Sequence, residues 1–337
     1  PVPSWKTFGL KESGNGAGGA TWGLPRFGRA RFEARFPFGK VTLADDARDV
    51  LVVPAAGFLE KQGNLPPAAR LAFGVGRLAG SGTGARVKLE ATGKSGPARV
   101  VMDRLLTPAE LVAGWTAFKV ALDDFAPGPV QLRLGVVPEP PAEVDFAAVV
   151  SAPRIWSASG MSGGAERPNL VLISLDTLRA DHLSLYGYSR PTSPRLDSWV
   201  RDHRSVTFRQ VVPPSGWTLP SHFSLFTGLE AFRHPANYYR MAVDASAYGF
   251  LAELLREAGY RTQAFTAGGF VHPIYGLAKG FDSFAYLAST ELRLQELEMS
   301  LARVGSWLDE GREEPFLLFL HTYEIHTPNP ARQPYFD

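Results

Sequence analysis

Three stretches of the sequence place polar side chains directly after apolar runs or at a helix start. Asp176 follows the run NLVLISL, and the segment HTYEIHTP over 321–328 follows the run FLLFL. Between them, the stretch SGWTLPSHFSLFTG over 215–228 puts Thr218 at the start of a short predicted helix. Ligands of parallel sheets collect beyond the carboxyl ends of the strands, so we expect these side chains at a common crevice.

The carboxylate of Asp176 has two interpretations that the sequence leaves open. An oxygen ligand at a strand end is what a hard divalent cation prefers. A short acidic side chain can equally cap the helix that follows the strand.

Thr218 also has two interpretations. Pro220 fits the first turn of a helix, where free backbone N–H groups and the helix dipole favour a phosphate or sulfate group. A Thr hydroxyl beside a cation could there attack phosphorus or sulfur. The plain alternative is a helix cap, and spacing alone favours the cap.

His321 and His326 are five residues apart, which is not the spacing of a zinc-binding helix. One interpretation is that both form local hydrogen bonds in a loop. The other is that one of them faces the oxyanion of a bound ester.

The bulk composition limits the classes of function. The chain has 337 residues, which favours two domains, and its net charge of +2 gives no basic footprint for nucleic acid. It has no cysteine and therefore no disulfide or thiolate site. No apolar run is long enough to span a membrane. The first residue is Pro1, so the expectation is that the chain has been processed or trimmed, and any signal peptide or lipid anchor would have been lost with that end. The expected location is the periplasm or the outside of the cell.

Residues 1–157 are predicted to form an all-β, jelly-roll-like sandwich that serves as an accessory domain. Runs such as RVKLEAT (86–92), TAFKVAL (116–122) and PVQLRLGVV (129–137) alternate polar and apolar residues, as half-buried antiparallel strands do. The segment 158–167 is small, polar and rich in glycine, which predicts a linker.

Residues 168–337 are predicted to form an α/β domain, a mostly parallel sheet with helices on both faces. NLVLISL and FLLFL are continuous apolar runs typical of buried parallel strands. The run VTFRQVV (206–212) also favours a strand. Within 289–310, leucines and a valine at a 3-4-3-4 spacing predict a long amphipathic helix.

Several motifs, in this order, resemble the sulfatase branch of the sulfatase/alkaline phosphatase superfamily. RPNLVLISLDTLRADHLSLYGYSRPTSPRLD resembles the opening strand with its metal aspartate, and SGWTLPSHFSLFTGL resembles the nucleophile helix. LAELLREAGYRTQAFTAGG, KGFDSF and PFLLFLHTYEIHTPNP resemble later segments. The resemblance covers about residues 168–337, and the N-terminal part is similar to accessory domains of secreted hydrolases, which often bind sugars.

The resemblance implies roles for individual residues. Asp176 becomes a metal ligand, and Thr218 becomes the nucleophile and a second ligand of the same ion, which can be Ca, Mg, Mn or Zn. His326 becomes a contact for the substrate oxyanion. His222 stands where the family usually has an Arg that supports the nucleophile. His222 and His321 are also predicted to bind substrate.

The sequence departs from the sulfatase pattern at three places. Sulfatases oxidise a Cys or Ser to formylglycine, and Thr218 is not a substrate for that conversion, so no formylglycine is expected. Threonine is the nucleophile in relatives that act on phosphoesters, including phosphoethanolamine and phosphoglycerol-type transferases. Thr177 replaces a second metal-binding Asp, and TAGGFVHP lacks the usual Lys and His.

The family completes its metal site with an Asp paired with His or Asn, from a strand beyond the HTP segment. This chain ends at Asp337 before such a strand. We therefore expect that the C-terminal part of the α/β domain is missing from this sequence. The remainder of the catalytic domain is the expected partner of this chain. The 337 residues alone are not expected to turn over substrate.

The sequence supports two classes of function. The favoured one is a metal-dependent hydrolase of small-molecule or glycan esters of sulfuric or phosphoric acid, with transfer to an alcohol as a variant. The other is a non-catalytic protein that binds a glycan or a partner on a degenerate sulfatase scaffold.

Overall fold

A computed structural model describes residues 6–8, 32–35, 38–54, 57–79, 83–139, 146–151, 153–157, 167–236, 243–286, 296–309 and 314–326. The structural statements below concern these residues. The predicted linker over 158–167 lies outside them except for Arg167.

Sixteen strands and five helices are present in the described part of the chain. The strands are β1 Lys6–Phe8, β2 Phe32–Arg35, β3 Phe38–Leu43, β4 Asp46–Pro54, β5 Phe58–Leu65, β6 Ala69–Ala79, β7 Gly84–Gly93, β8 Arg99–Leu106, β9 Thr116–Ala121, β10 Gly128–Glu139, β11 Ala147–Ser151, β12 Arg154–Ser157, β13 Leu170–Leu175, β14 Arg261–Thr266, β15 Ser283–Tyr286 and β16 Phe316–Thr322. The helices are α1 Pro108–Val112, α2 Pro194–Asp202, α3 Thr218–Thr227, α4 Leu251–Glu257 and α5 Glu296–Asp309.

The N-terminal part is β-rich, as predicted. A five-stranded sheet in the order β1-β5-β10-β7-β8 packs against a second sheet that contains β4, β6 and β11. Strand β10 shows why the alternation matters, because Leu132, Leu134 and Val136 enter the shared core while Gln131 and Arg133 face outward.

The C-terminal part contains four parallel strands in the order β15-β14-β16-β13. Strand β16 is buried along its whole length, as the apolar run FLLFL predicted. Strand β13 alternates instead, with Val171, Ile173 and Leu175 exposed. The prediction of a fully buried strand is wrong there, because β13 lies at the edge and only its other face packs on the core beside α3.

The two parts share one sheet. The first residues of β4 pair antiparallel with β15, so the parallel strands continue into the second N-terminal sheet and form an eleven-stranded mixed sheet. The predicted mostly parallel sheet is therefore correct only for the four C-terminal strands. Side chains reinforce the junction: Ser283 donates to Asp46 at 2.9 Å, and Arg154 donates to the Tyr260 carbonyl at 3.0 Å and to Glu314 at 2.9 Å.

Two local predictions differ from the structure. Residues 206–212 form no strand, and their apolar side chains are exposed. Helix α5 begins at Glu296 within the described residues, and it buries Glu296, Ser300, Val304 and Trp307 while the predicted stripe residue Leu301 is exposed. Val304 of the predicted stripe is buried, as expected, whereas Leu301 and Leu308 are exposed and the helix buries the carboxylate of Glu296 instead. None of the described helices is long and apolar enough to cross a membrane.

The junction gives the first prediction. We expect Arg154→Ala to lower the free energy of unfolding by about 3 kcal/mol, because it leaves the buried carboxylate of Glu314 without its cation. Urea unfolding of both proteins measures the difference. The matched control is Arg99→Ala, whose pair with Asp124 is exposed and should contribute less than about 1 kcal/mol. Equal losses in the two variants would contradict a structural role for Arg154.

Candidate active site

The parallel pairing of β13 and β16 brings Asp176 and His321 together. Ser174 lies opposite His321 in the register, and the amide of Asp176 continues the pairing by donating to the Thr322 carbonyl at 3.1 Å. Thr177 then turns the chain with a left-handed φ of 63°, and its hydroxyl donates to the Ile325 carbonyl at 3.2 Å. These contacts fix the Asp176 carboxylate at the carboxyl edge of the sheet.

Helix α3 supplies Thr218 from the other side of the crevice. The core anchors this helix, because Phe223 and Phe226 pack on Phe250, Phe281 and Phe319. Thr218 is the first helical residue and Trp217 is the cap residue, so the prediction of a Thr218 cap is wrong. The Thr218 side chain instead lies near the Asp176 carboxylate and helps to lower the pKa of that group.

His222 lies one helical turn after Thr218 and lines the crevice, although it is only 6% exposed. Burial lowers its pKa to about 4, so the ring is neutral near pH 7. The Nδ1 atom lies 2.7 Å from the Thr218 carbonyl oxygen, which only accepts, so Nδ1 carries the proton. The Nε2 atom, 2.9 Å from the Ser174 hydroxyl, is therefore the acceptor.

His321 is completely buried and does not line the crevice. Its Nε2 lies 3.4 Å from an Asp176 oxygen, and its ring meets those of His222 and Tyr323 edge to face. The Nδ1 atom has no hydrogen-bond partner among the described residues. The structure therefore places His321 behind Asp176 and away from the cleft surface, and its predicted contact with substrate stays a prediction.

The surroundings of Asp176 have opposing effects on its charge. Partial burial alone would raise the pKa of the carboxyl, but hydrogen bonds from His321 and Thr218 and the nearby imidazoles outweigh it and hold the pKa below its usual value. The carboxyl is therefore ionised at neutral pH, with the Thr218 hydroxyl directed at it.

The crevice is an open cleft of about 520 Å³. Its polar wall contains Asp176, Thr218, His222 and His326, which are four of the five residues singled out from the sequence. His326 is held by its own backbone, whose amide donates to the Tyr323 carbonyl at 2.8 Å, and its ring packs on that of Tyr323. Trp217 and Phe270, with ring centroids 5.3 Å apart, form an apolar wall beside Thr218.

Sequence reasoning missed two residues that support the cleft. Ser174 is the polar residue inside the apolar run NLVLISL, and that exception was a usable signal. Glu296 is 5% exposed, and its carboxylate accepts from the Thr322 hydroxyl at 2.7 Å and from the Tyr323 amide at 3.1 Å. A charged residue in a leucine-rich helical repeat gave no signal of this role.

The donor set fits a divalent cation. Within the described residues, Asp176, His222 and His321 offer ligand atoms that all lie within 4.8 Å of one another. The neutral ring of His222 is consistent with metal binding, because imidazole must be unprotonated to bind a metal. Mixed nitrogen and oxygen donors suit Zn²⁺ better than Ca²⁺, which takes oxygen ligands.

Comparison with known proteins decides the family. The sulfatase family model matches residues 168–337, which is half of the chain. The chain belongs to the sulfatase family. The resemblance found in the sequence motifs is thereby confirmed, within the sulfatase/alkaline phosphatase superfamily.

Individual relatives of this sulfatase-family chain are distant. An N-acetylgalactosamine-6-O-sulfatase of Bacteroides thetaiotaomicron is 30% identical over 104 residues, 29% of this chain and 20% of the relative. The chain thus spans about a fifth of the curated relative that it matches. The soluble domain of lipooligosaccharide phosphoethanolamine transferase A from Neisseria meningitidis is 22% identical over 50% of this chain and 48% of its own, with a TM-score of 0.36.

The N-terminal part has a structural likeness of its own. The CBM22-1 xylan-binding domain of Xyn10C from Paenibacillus barcinonensis is 13% identical and covers 37% of this chain and 83% of its own, with a TM-score of 0.25.

Glu296 gives a prediction for the sulfatase-family half. We expect Glu296→Ala to lower the free energy of unfolding by about 2 kcal/mol, because the Thr322 hydroxyl and the Tyr323 amide lose their buried acceptor. Glu298→Ala, on the exposed side of the same helical turn, should change it by less than about 0.5 kcal/mol. Urea unfolding measures both, and a Glu296→Ala protein as stable as Glu298→Ala would show that the buried carboxylate has no such role.

His222 predicts a dependence of stability on pH. Its pKa is about 4 in the folded chain against about 6.5 in the unfolded chain, so between these values only the unfolded state binds the proton. The contribution of His222 to the free energy of unfolding is therefore fully present above about pH 6.5. It is lost as the pH decreases toward 4, by about 3 kcal/mol in all.

The test measures unfolding in urea and a chelator from pH 7 to pH 4. His222→Gln keeps hydrogen-bonding groups without titrating, so it should lose about 3 kcal/mol less over this range than the unmodified chain. His203→Gln, at an exposed position, should follow the unmodified chain. Parallel pH profiles for His222→Gln and the unmodified chain would contradict the buried neutral imidazole.

Proposed function

We propose that the whole protein is a metal-dependent hydrolase of sulfuric or phosphoric esters, with Thr218 as its nucleophile. The observation that carries the proposal is that Thr218 and the ionised Asp176 carboxylate, whose pKa Thr218 helps to lower, lie together at the wall of an open cleft. A cap residue would accept from the amides of its own helix, whereas Thr218 is the first helical residue and no side chain makes a cap bond here.

The proposed reaction has two steps. In the first, the Thr218 oxygen forms a bond to the phosphorus or sulfur of the ester, the bond to the leaving oxygen breaks, and the hydroxyl proton passes by way of Asp176 to the leaving alcohol. In the second, water attacks the same atom, which releases phosphate or sulfate and restores the hydroxyl. His326, at the cleft wall, would hold a peripheral oxygen of the ester, and neutral His222 would hold the Thr218 backbone in place.

The residues proposed to hold the divalent cation are Asp176 and Thr218, with His222 and His321 close enough to add nitrogen ligands. When bound, such an ion supplies a lowered hydroxyl pKa and neutralises the negative charge of the ester oxygens. Zn²⁺ agrees better with this mixed nitrogen and oxygen donor set than Ca²⁺, Mg²⁺ or Mn²⁺, which suit oxygen ligands.

The chemistry of threonine favours phosphoesters over sulfate esters. A sulfatase needs an aldehyde hydrate at this position, and oxidation of a threonine side chain would yield a ketone. A direct attack leaves a phosphorylated threonine, which water can cleave. If an alcohol replaces water in the second step, the same site performs transfer, so the transferase activity is the second candidate and rests on the same residue.

We further propose that residues 1–157 form an accessory domain that braces the catalytic half, with 158–167 as its connection and residues 168–337 as the catalytic part. The shared sheet and the contacts of Arg154 support a bracing role. A glycan-binding role has less support, because none of the aromatic side chains described in the N-terminal part is among the exposed apolar residues. Location in the periplasm or outside the cell belongs to the same proposal.

The activity test uses aryl phosphate and aryl sulfate esters with the 337-residue chain and, if the gene continues, with its full-length product. We expect no release by the 337-residue chain alone. For the full-length product we expect phosphate release in the presence of Zn²⁺ or Mn²⁺, greatly reduced by Thr218→Ala and by a chelator, and retained in part by Thr218→Ser. Mass spectrometry should find phosphate on the peptide that contains Thr218. Thr227→Ala, at the other end of the same helix, is the matched control and should stay active.

Three outcomes would contradict the proposal: activity of Thr218→Ala equal to that of the unmodified protein, a modified residue other than Thr218, or no hydrolysis by the full-length product. The last would favour a non-catalytic binding protein. A faster reaction with added alcohol than with water would assign transfer.

A further inference from the structure

A second cavity lies at the junction of the two parts, and it shares no residue with the cleft around Thr218. Its volume is about 280 Å³, which is near the small end of ligand pockets. The N-terminal wall comes from β4, β6, β9, β11 and β12, and the other wall comes from the beginnings of β14 and β15 and the residues just before β16. The cavity therefore lies toward the amino ends of the parallel strands, whereas the cleft lies at their carboxyl ends.

The walls of this junction cavity are more basic than acidic. Arg48 pairs at 2.7 Å with Asp46, which is not a lining residue, so the formal excess is one positive charge although five basic and three acidic side chains line the cavity. They are Arg48, Lys119, Arg154, Arg256 and Arg261, and Asp49, Asp282 and Glu314. An excess of positive charge in a partly enclosed space between protein walls attracts small anions.

Two buried polar groups on the walls lack hydrogen-bond partners among the described residues. Glu314 is 8% exposed, and while one of its oxygens accepts from Arg154, the other has no donor. The indole nitrogen of Trp156 has no acceptor. Unsatisfied buried groups cost free energy, so a ligand that offers both a donor and an acceptor would gain from binding between them.

Basic and aromatic groups both contribute to the walls of this cavity. The Trp156 ring has the Lys119 ammonium 5.7 Å and the Arg154 guanidinium 5.4 Å from its centroid. Phe73 and Phe118 stack on each other at 5.0 Å and complete an apolar side of the wall. A ring-shaped ligand with hydroxyl groups matches such a mixture, because it presents apolar faces together with a polar edge.

We propose that the junction cavity binds a small polyhydroxylated organic anion of the sugar-acid class, with its hydroxyl groups on Glu314 and Trp156 and its carboxylate among the basic side chains. Such a ligand touches both parts of the chain at once. It stabilises their shared sheet by binding the folded state only. The site is independent of the proposed chemistry at Thr218.

The test is titration calorimetry of the purified chain with glucuronate, followed by thermal unfolding with and without it. Saturable binding of one glucuronate per chain and a raised unfolding temperature are expected, with neutral glucose binding at least tenfold more weakly. Lys119→Gln removes an exposed cation, and Trp156→Phe removes the indole donor but keeps a ring. Each should weaken glucuronate binding about tenfold.

Matched controls separate this site from the rest of the protein. Lys94→Gln, at an exposed turn, should bind glucuronate as the unmodified chain does. Thr218→Ala should do the same, so failure of the catalytic proposal leaves this result intact. The proposal is overturned if glucuronate does not bind at millimolar concentration, if glucose binds as tightly, or if both Lys119→Gln and Trp156→Phe bind like the unmodified chain.

Discussion

The parallel pairing of β13 with β16 is the contact on which the candidate site depends. It sets Ser174 opposite His321 and carries the chain one residue further to Asp176. A slip of one residue in this register would turn the Asp176 side chain to the other face of the sheet. The phenylalanines of helix α3 fix the helix in the core, and its first residue, Thr218, therefore lies near that carboxylate.

The site consists of residues at the cleft wall and of buried residues that support them from behind. Asp176 and Thr218 face the cleft, His222 and His321 lie against them, and Ser174 and Glu296 hold these histidines and the end of β16 from further inside. Burial keeps His222 neutral, so it can accept a hydrogen bond from Ser174 while it donates to the Thr218 backbone. Movement of most of these groups would leave a buried polar atom without a hydrogen bond. The supporting hydrogen bonds therefore keep the site ordered before substrate binds.

Much of this could be predicted from the sequence, for physical reasons that also explain the errors. The apolar runs before Asp176 and His321 identified two strand ends, because buried parallel strands need continuous apolar residues. The same pattern could not say that β13 lies at a sheet edge, since edge position is a property of the whole sheet. The 206–212 run has strand composition but no partner strand among the described residues. The buried Glu296 was hidden because its partners are backbone and hydroxyl groups more than twenty residues away.

The central claim is that the strand-end carboxylate and its neighbours form one metal-assisted site, and ion binding tests it most directly. Calorimetric titration of the chain with Zn²⁺ should show one ion per chain, with affinity reduced at least tenfold in Asp176→Asn and unchanged in Asp181→Asn, whose carboxylate is exposed. Equal affinity in Asp176→Asn, or no binding by the unmodified chain, would contradict the account.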